Sequence, residues 1–378
     1  MPAKMRDFAL EVYFSKWEFK ARFNLTASDA QSLSTAELLA LASPEDRDRF
    51  QDLHLGYTET FGSPALRQAI AGTYDIIDGD HILCLAGAGE GIYIVMQVLL
   101  QPQDHAIVIT PNYQSAETVP LSTCEVTGVS LDPSNNWSLD IDRIRQVLRP
   151  NTKLVSINFP NNPTGSIPSQ ETINDLILLC RKRGIWLFSD EVYRLIERDP
   201  GLRIPQIADI YEKGISLNVM SKAYGLSGLR IGWLACQDRD ALVRFERFKH
   251  YLSICNSAPA EMLALIALKA RDTILECNRN RVRDNSAVAA EFFMQHAEWF
   301  DFTPPDGGCV CFTRYKGADG VEEFTRRLVE EAGVLLLPAS IYRSELSEVP
   351  QDYFRLGLGR SIVPQALDAM DRWLAGRD

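Results

Sequence analysis

The chain lacks the short signatures that would assign a chemistry at once. It has no CxxC pair and no HExxH run, and its eight cysteines are scattered over 378 residues, with only Cys309 and Cys311 close together. That spacing excludes a disulfide framework and a thiolate zinc site, and it suits a reducing cytoplasm. Five histidines outside any ligand spacing give no zinc signal, so no metal is expected. Unbroken apolar runs are also missing. The most apolar stretch, Ile82 to Leu100, is interrupted by Gly87, Gly89, Glu90 and Gly91, which argues against a membrane span. Met1 to Lys20 mixes acids, bases and aromatics and has no signal-peptide core. Positive charge is in deficit: 39 Lys and Arg against 50 Asp and Glu leave a net charge of -11, a poor match for a nucleic-acid partner. Repeats and low-complexity linkers are absent.

What remains is an ordinary globular composition, 46% hydrophobic and 24% charged, enough to bury a large core. The length predicts two domains or slightly more. A short apolar run, a polar or Gly-containing turn and a helical stretch recur along the chain. The runs are Ile82–Ala86, Ala106–Thr110, Leu154–Asn158, Ile185–Phe188 and Ile215–Val219. Apolar runs of this kind between helices predict a sheet buried on both faces. One helix is clearly bounded. Ser169 caps it, Ile173, Leu176, Ile177 and Cys180 share a face, Arg181 to Arg183 favour its C-terminal dipole, and Gly184 stops it.

The fold class expected is α/β: a three-layer large domain with a mostly parallel central sheet, plus a smaller α+β domain. Residues 41–284 are expected to form the large domain. Residues 1–40 and 285–378 are expected to build the small one, with a strand at Cys309–Thr313 and a final helix after Pro364.

Ligands of open α/β sheets sit outside the carboxyl ends of the strands. Those ends carry Tyr113, Asn162, Asp190, Tyr193 and Lys222, with Arg230 eight residues beyond the lysine. An amine nucleophile beside a carboxylate, a phenol and an amide suggests Schiff-base chemistry. Pyridoxal phosphate requires these parts: a lysine, a carboxylate for the ring nitrogen and donors for the phosphate. The glycines of Gly87-Ala-Gly-Glu-Gly91 do not make a dinucleotide loop, since Ile92 stands where its last glycine belongs. Arg244, Arg247, Arg279, Arg281 and Arg283 alternate with acids and apolar residues at helical spacing, which reads as a solvated helix face.

Three runs, Asn161-Asn-Pro-Thr-Gly165, Ser189-Asp-Glu-Val-Tyr193 and Met220-Ser-Lys-Ala-Tyr-Gly-Leu-Ser-Gly-Leu-Arg-Ile-Gly232, resemble the class I/II aminotransferases in composition, order and separation. These are fold-type I pyridoxal-phosphate enzymes. Phe354-Arg355-Leu356 is similar to the family's late arginine motif, and Tyr57 to Arg67 to its early segment. The resemblance implies pyridoxal 5'-phosphate as cofactor, with Lys222 holding it as an imine and moving the substrate's α-proton. It implies Asp190 on the ring nitrogen, Tyr193 and Asn162 on the ring oxygen, and Tyr113 against the ring face. Arg230, Ser221 and the Ala88 and Gly89 amides would bind the phosphate. Arg355, with Asn162, would bind the substrate carboxylate, and Tyr57 would reach a partner subunit's phosphate in a homodimer.

Some positions depart from the pattern. Val219, Ala86 and Ala88 replace hydroxyl residues of the phosphate cup, and Ala339 replaces a frequent glycine. The implied activity is a transaminase that passes an amino group from an amino acid to a 2-oxo acid by a ping-pong mechanism, in the cytoplasm, without a nucleic-acid or membrane partner. A lyase, decarboxylase or cyclising synthase on the same fold stays open, and so does a non-catalytic cofactor-sensing regulator. The run Asn24–Asp29 is expected to face the substrate, with Trp17 or Phe23 shaping the pocket. Gly307-Gly-Cys-Val310 resembles a strand lining the same pocket.

Overall fold

The computed structural model describes residues 5–376; the outermost residues of the expected 1–40 and 285–378 segments lie outside that range. Helix Ala9–Trp17 precedes a short strand, β1 (Phe23–Asn24), and three helices fill residues 35–71. The main sheet follows, built from β2 (Ile82–Leu85), β3 (His105–Thr110), β4 (Glu125–Ser130), β5 (Thr152–Asn158), β6 (Trp186–Asp190), β7 (Gly214–Val219) and β8 (Gly232–Cys236). Its order is β2-β8-β7-β6-β5-β3-β4. β8 runs antiparallel to both neighbours, and the other pairings are parallel.

The apolar runs are continuous because each strand feeds two cores. In β5, Leu154 packs with the layer containing helix Ala88–Leu99, while Val155 and Ile157 pack with the layer containing helix Gln170–Arg183. In β6, Trp186 and Phe188 take the first face and Leu187 the second. Alternate side chains point to opposite faces of a strand, so a sheet covered on both sides needs apolar residues at every position. Helix Gln170–Arg183 has the expected bounds: Ser169 accepts the Thr172 amide, and Gly184 caps the other end in the left-handed conformation.

Two strands of the sheet are not among the five apolar runs read from the sequence. β4 is an edge strand, half-exposed and carrying Glu125, Thr127 and Gly128, so its run is mixed. β8, Gly-Trp-Leu-Ala-Cys, is apolar and fully buried, but it starts at Gly232, the last residue of the lysine motif, and reads as that motif's end. The helix after β2 starts at Ala88, so the Ala88 and Gly89 amides stand at a helix start as expected. Gly91 belongs to it because a Cβ there would lie 2.6 Å from Leu217 and 2.8 Å from Leu85, so only glycine lets the helix approach the sheet this closely.

Beyond the sheet, helix Arg271–Gln295 runs unbroken through residues 284 and 285. It leads to β9 (Phe300–Asp301), β10 (Val310–Tyr315), β11 (Val334–Leu335), β12 (Leu337–Pro338) and β13 (Tyr353–Gly357), and the chain closes with helix Val363–Leu374. Strands β12-β13-β10-β9 form an antiparallel sheet, and β11 pairs in parallel with β1, tying residues near the N-terminus to this late unit. Among the described residues no helix is long and apolar enough to cross a membrane, and no group of three or more His, Cys, Asp or Glu is placed to hold a metal ion.

Candidate active site

The carboxyl ends of β5, β6 and β7 lie side by side at the middle of the sheet and deliver Asn158, Asp190 and, just past Val219, Lys222 to one place. A cavity of about 240 Å³ opens there. Nine of the eleven residues expected at the site line it: Lys222, Asp190, Tyr193, Asn162, Tyr113, Ser221, Arg230, Ala88 and Gly89. The other two, Arg355 and Tyr57, do not.

Lys222 is partly buried, and its Nζ is 2.7 Å from the Ser28 hydroxyl and 6.0 Å from the centre of the Tyr193 ring. Burial lowers its pKa below the usual lysine value; Asp29 pulls it back up and Arg355 pushes it further down. Asp190 is 9% exposed, and one carboxylate oxygen accepts the Val192 amide at 3.2 Å. Desolvation raises its pKa to about 6, outweighing that bond and the attraction of Lys222. The next residue, Glu191, points into the core. It accepts the Ile207 amide at 2.9 Å and the Ser216 hydroxyl at 2.8 Å, and burial raises its pKa to about 7.

Tyr193 is 1% exposed, and its hydroxyl has no hydrogen-bond partner among the described residues. A buried phenol left unpaired costs free energy unless a ligand completes it. Tyr113 is pushed up to about 12 by burial and by the charge of Glu11, and its ring packs on Phe8 at 5.1 Å.

One wall of the cavity is the start of helix Ala88–Leu99, whose N-cap, Gly87, has φ 101° and ψ 169°. A Cβ at Gly87 would lie 2.7 Å from the Arg230 guanidinium, so glycine brings the backbone amides and the arginine together. Arg230 itself is in the left-handed conformation, with its guanidinium donating to the Ser227 carbonyl at 3.1 Å. Free amides at a helix start beside an arginine form an anion site.

Arg355 lies in β13, fully buried. It donates to the Asn162 side-chain Oδ1 at 3.1 Å, to the Tyr342 hydroxyl at 2.6 Å and to the Thr26 backbone carbonyl at 2.5 Å. Its Nε has no partner, and no carboxylate pairs with it among the described residues. Buried charges are normally paired, so this guanidinium is set for an anionic ligand. Asn162 connects it to the cavity.

The expectation for residues 24–29 was partly met. Thr26 and Ser28 do reach the site, held there by the two-pronged Asp29–Arg360 ion pair at 2.9 Å and by the Ala30 amide on the Lys222 carbonyl at 3.1 Å. Trp17 and Phe23 do not line the cavity; Phe23 is spent on β1 and packs beneath Arg22. Cys309 is buried, and its thiol is pushed up by burial while Lys222 lowers it. Gly308 faces the Tyr193 ring. Sequence reasoning missed Glu11, Ser28, Asn158 and Tyr342. Asn158 had a signal as the polar end of an apolar run, and Ser28 lay within a flagged run. Glu11 and Tyr342 had none.

Together the lining supplies an amine, a carboxylate, an unpaired phenol, an amide and an anion cup, the set that pyridoxal phosphate requires. A family model described as aminotransferase class I and II matches residues 23–361. The chain is 26% identical over 349 residues to capreomycidine synthase of Streptomyces vinaceus, covering 90% of this chain and 88% of that protein. It is 28% identical over 343 residues to aspartate aminotransferase of Thermotoga maritima, covering 88% and 87%. A crystal structure of a PLP-dependent aminotransferase from Streptococcus suis 89-1591 superposes with a TM-score of 0.92 at 29% identity, over 100% of this chain and 99% of that one.

Proposed function

The chain belongs to the class I and II aminotransferase family, pyridoxal-phosphate enzymes of fold type I, and on that premise we propose that it transfers the amino group of an α-amino acid to a 2-oxo acid by a ping-pong cycle. The observation that carries the reading is Arg355: a buried, unpaired guanidinium linked through Asn162 to the cavity that holds Lys222. It suits the planar carboxylate common to both substrates, which a guanidinium binds in two-pronged fashion.

Each side chain then has a job. Lys222 would anchor the cofactor and would hold or move the proton at the substrate α-carbon; burial lowers its pKa, which favours the neutral amine that accepts a proton. Asp190, whose pKa burial raises to about 6, would pair with the ring nitrogen and keep a proton there. Tyr193 and Asn162 would hydrogen-bond the ring oxygen, which would give the Tyr193 hydroxyl, otherwise without a partner among the described residues, its bond. Tyr113 would cover the ring face and help exclude water. Arg230, Ser221 and the Ala88 and Gly89 amides hold the phosphate; Val219 and Ala88 contribute no hydroxyl, so the load falls on charge and backbone. The cofactor, when bound, supplies an electron sink for negative charge at the α-carbon.

We also propose a homodimer in the cytoplasm, with residues 41–284 carrying the cofactor and residues 1–40 and 285–378 closing over the substrate. Tyr57 is 92% exposed beside Leu55 and near Tyr251 and Ile254, also exposed, where the Thr58 hydroxyl binds the Asn256 carbonyl at 3.0 Å. An apolar patch of this kind is what a second copy would cover, bringing Tyr57 to the partner's phosphate. Sedimentation as a monomer would remove that assignment.

A synthase reading stays beside the transaminase one, because capreomycidine synthase is among the relatives. Visible absorbance of the loaded enzyme, followed as single amino acids are added without a 2-oxo acid, separates the two. Stoichiometric conversion to the amine form of the cofactor with release of one 2-oxo acid supports transamination. A cofactor left unchanged while substrate is consumed supports the synthase. Lys222→Ala is expected to abolish both the lysine-bound absorbance and turnover; retained turnover would sink the mechanism.

A further inference from the structure

The cavity has one acidic lining residue that the cofactor and the substrate carboxylate leave without a role. It is Glu11, on helix Ala9–Trp17. The helix is fixed over the site by several contacts. The Ala9 amide donates to the Gln114 side chain at 2.9 Å, and Gln114 returns a bond to the Asp7 carbonyl at 2.9 Å. Arg6 pairs with Glu117 at 2.5 Å, Phe8 packs on Tyr113, and the Tyr13 hydroxyl donates to the Leu336 carbonyl at 3.0 Å. Glu11 is thus held at the cavity while remaining exposed, and no Lys, Arg or His pairs with it among the described residues.

Resting on the aminotransferase reading, we propose that Glu11 selects amino acids whose side chain ends in a cation, an ammonium or a guanidinium. Glu11 and Tyr113 line the same cavity, and Asn162, which lines it too, accepts from the Arg355 guanidinium, so an acid and a guanidinium both serve the substrate space. A substrate with a carboxylate at one end and a cation at the other matches that arrangement. A dicarboxylic amino acid does not: of the two basic residues lining the cavity, Arg230 would be taken up by the phosphate and Lys222 by the cofactor and then the α-proton, and a distal carboxylate would face Glu11. An acid in the first turn also favours the helix dipole. That role is indifferent to substrate, so substrate ratios distinguish the two.

The test compares lysine and arginine with norleucine, which matches lysine without its terminal amine, as donors to the holoenzyme with pyruvate as acceptor. Calorimetry of two non-reacting ligands, desamino-lysine and hexanoate, gives a readout independent of turnover. The cationic donors are expected to exceed norleucine in kcat/KM by about tenfold, the scale of one charge-assisted contact, and desamino-lysine to bind tighter than hexanoate by a similar factor. In Glu11→Gln both ratios fall towards one, and Glu11→Lys inverts them. Ratios near one in the native enzyme, or ratios that Glu11→Gln leaves intact, overturn the proposal while amino-acid turnover keeps the transaminase reading. Tighter binding of desamino-lysine that depends on Glu11, without turnover of any amino acid, does the reverse: the substrate class stands and transamination falls.

Discussion

Replacing Asp190 by Asn probes the tension between stability and cofactor binding at the centre of the sheet. The carboxylate is buried, and its pKa is raised from 3.8 to about 6. A raised folded-state pKa means that the folded protein binds the proton more tightly than the unfolded chain does. Whatever stability this confers is fully present below about pH 4 and is lost as pH climbs through 6. A shift of about two units corresponds to roughly 3 kcal/mol. Asn removes the charge but keeps a carbonyl to accept the Val192 amide, now at 3.2 Å. Cofactor-free Asp190→Asn is therefore expected to be more stable than the native protein at pH 7.5, by about 1–3 kcal/mol, with the gap closing near pH 4. Urea unfolding of both cofactor-free proteins across that range measures it, and Glu191, unchanged in both, cancels. The same variant should bind pyridoxal phosphate far more weakly. A variant that is less stable at pH 7.5, or a gap independent of pH, would refute the reasoning.

Three further changes address neighbouring parts of the site. Arg355→Lys keeps the charge but loses the planar fork, so KM for the amino acid should rise by about tenfold or more while kcat changes less; unchanged KM values in steady-state assays would reassign the residue. Tyr342→Phe removes the hydroxyl that accepts from Arg355 at 2.6 Å and donates to Asn162 at 3.1 Å. Tyr342 acts by positioning, so KM should rise several-fold with kcat moving less, and an equal fall in both kcat and kcat/KM would point elsewhere. Gly87→Ala forces a side chain into φ 101°, ψ 169° and against Arg230, costing about 1–3 kcal/mol. Its affinity for pyridoxal phosphate, measured by fluorescence titration, should drop, and unchanged affinity would contradict the role given to that turn.

The sequence was most legible where one stretch of chain carries the whole requirement. Apolar runs buried on both faces announced β3, β5, β6 and β7, and the residues just past their ends were the ones found around the cavity. β4 was not visible, because an edge strand facing solvent has no need of an unbroken apolar run. Tyr342 and Glu11 were invisible for another reason. Tyr342 acts on Arg355 across a turn of the late unit, and Glu11 reaches the cavity only because Gln114, Glu117 and Leu336 position its helix. Contacts of that kind are made by tertiary packing, which local spacing does not encode.

The β1–β11 pairing sets the order in which the molecule can be completed. Phe23 pairs with Val334, the Thr26 carbonyl waits for Arg355, and Asp29 waits for Arg360. As the ribosome delivers the chain from its N-terminus, the strands bearing Asp190 and Lys222 emerge and can stack before any of those late partners exists. Phe23, the Thr26 carbonyl and Asp29 must wait some three hundred residues of synthesis for these partners, a long-range closure of the sort that slows folding. A nascent chain arrested before β13 would therefore present the lysine and its neighbours without the floor that receives the substrate. Competence to bind the cofactor would then precede competence to bind the amino acid, in time as well as in sequence.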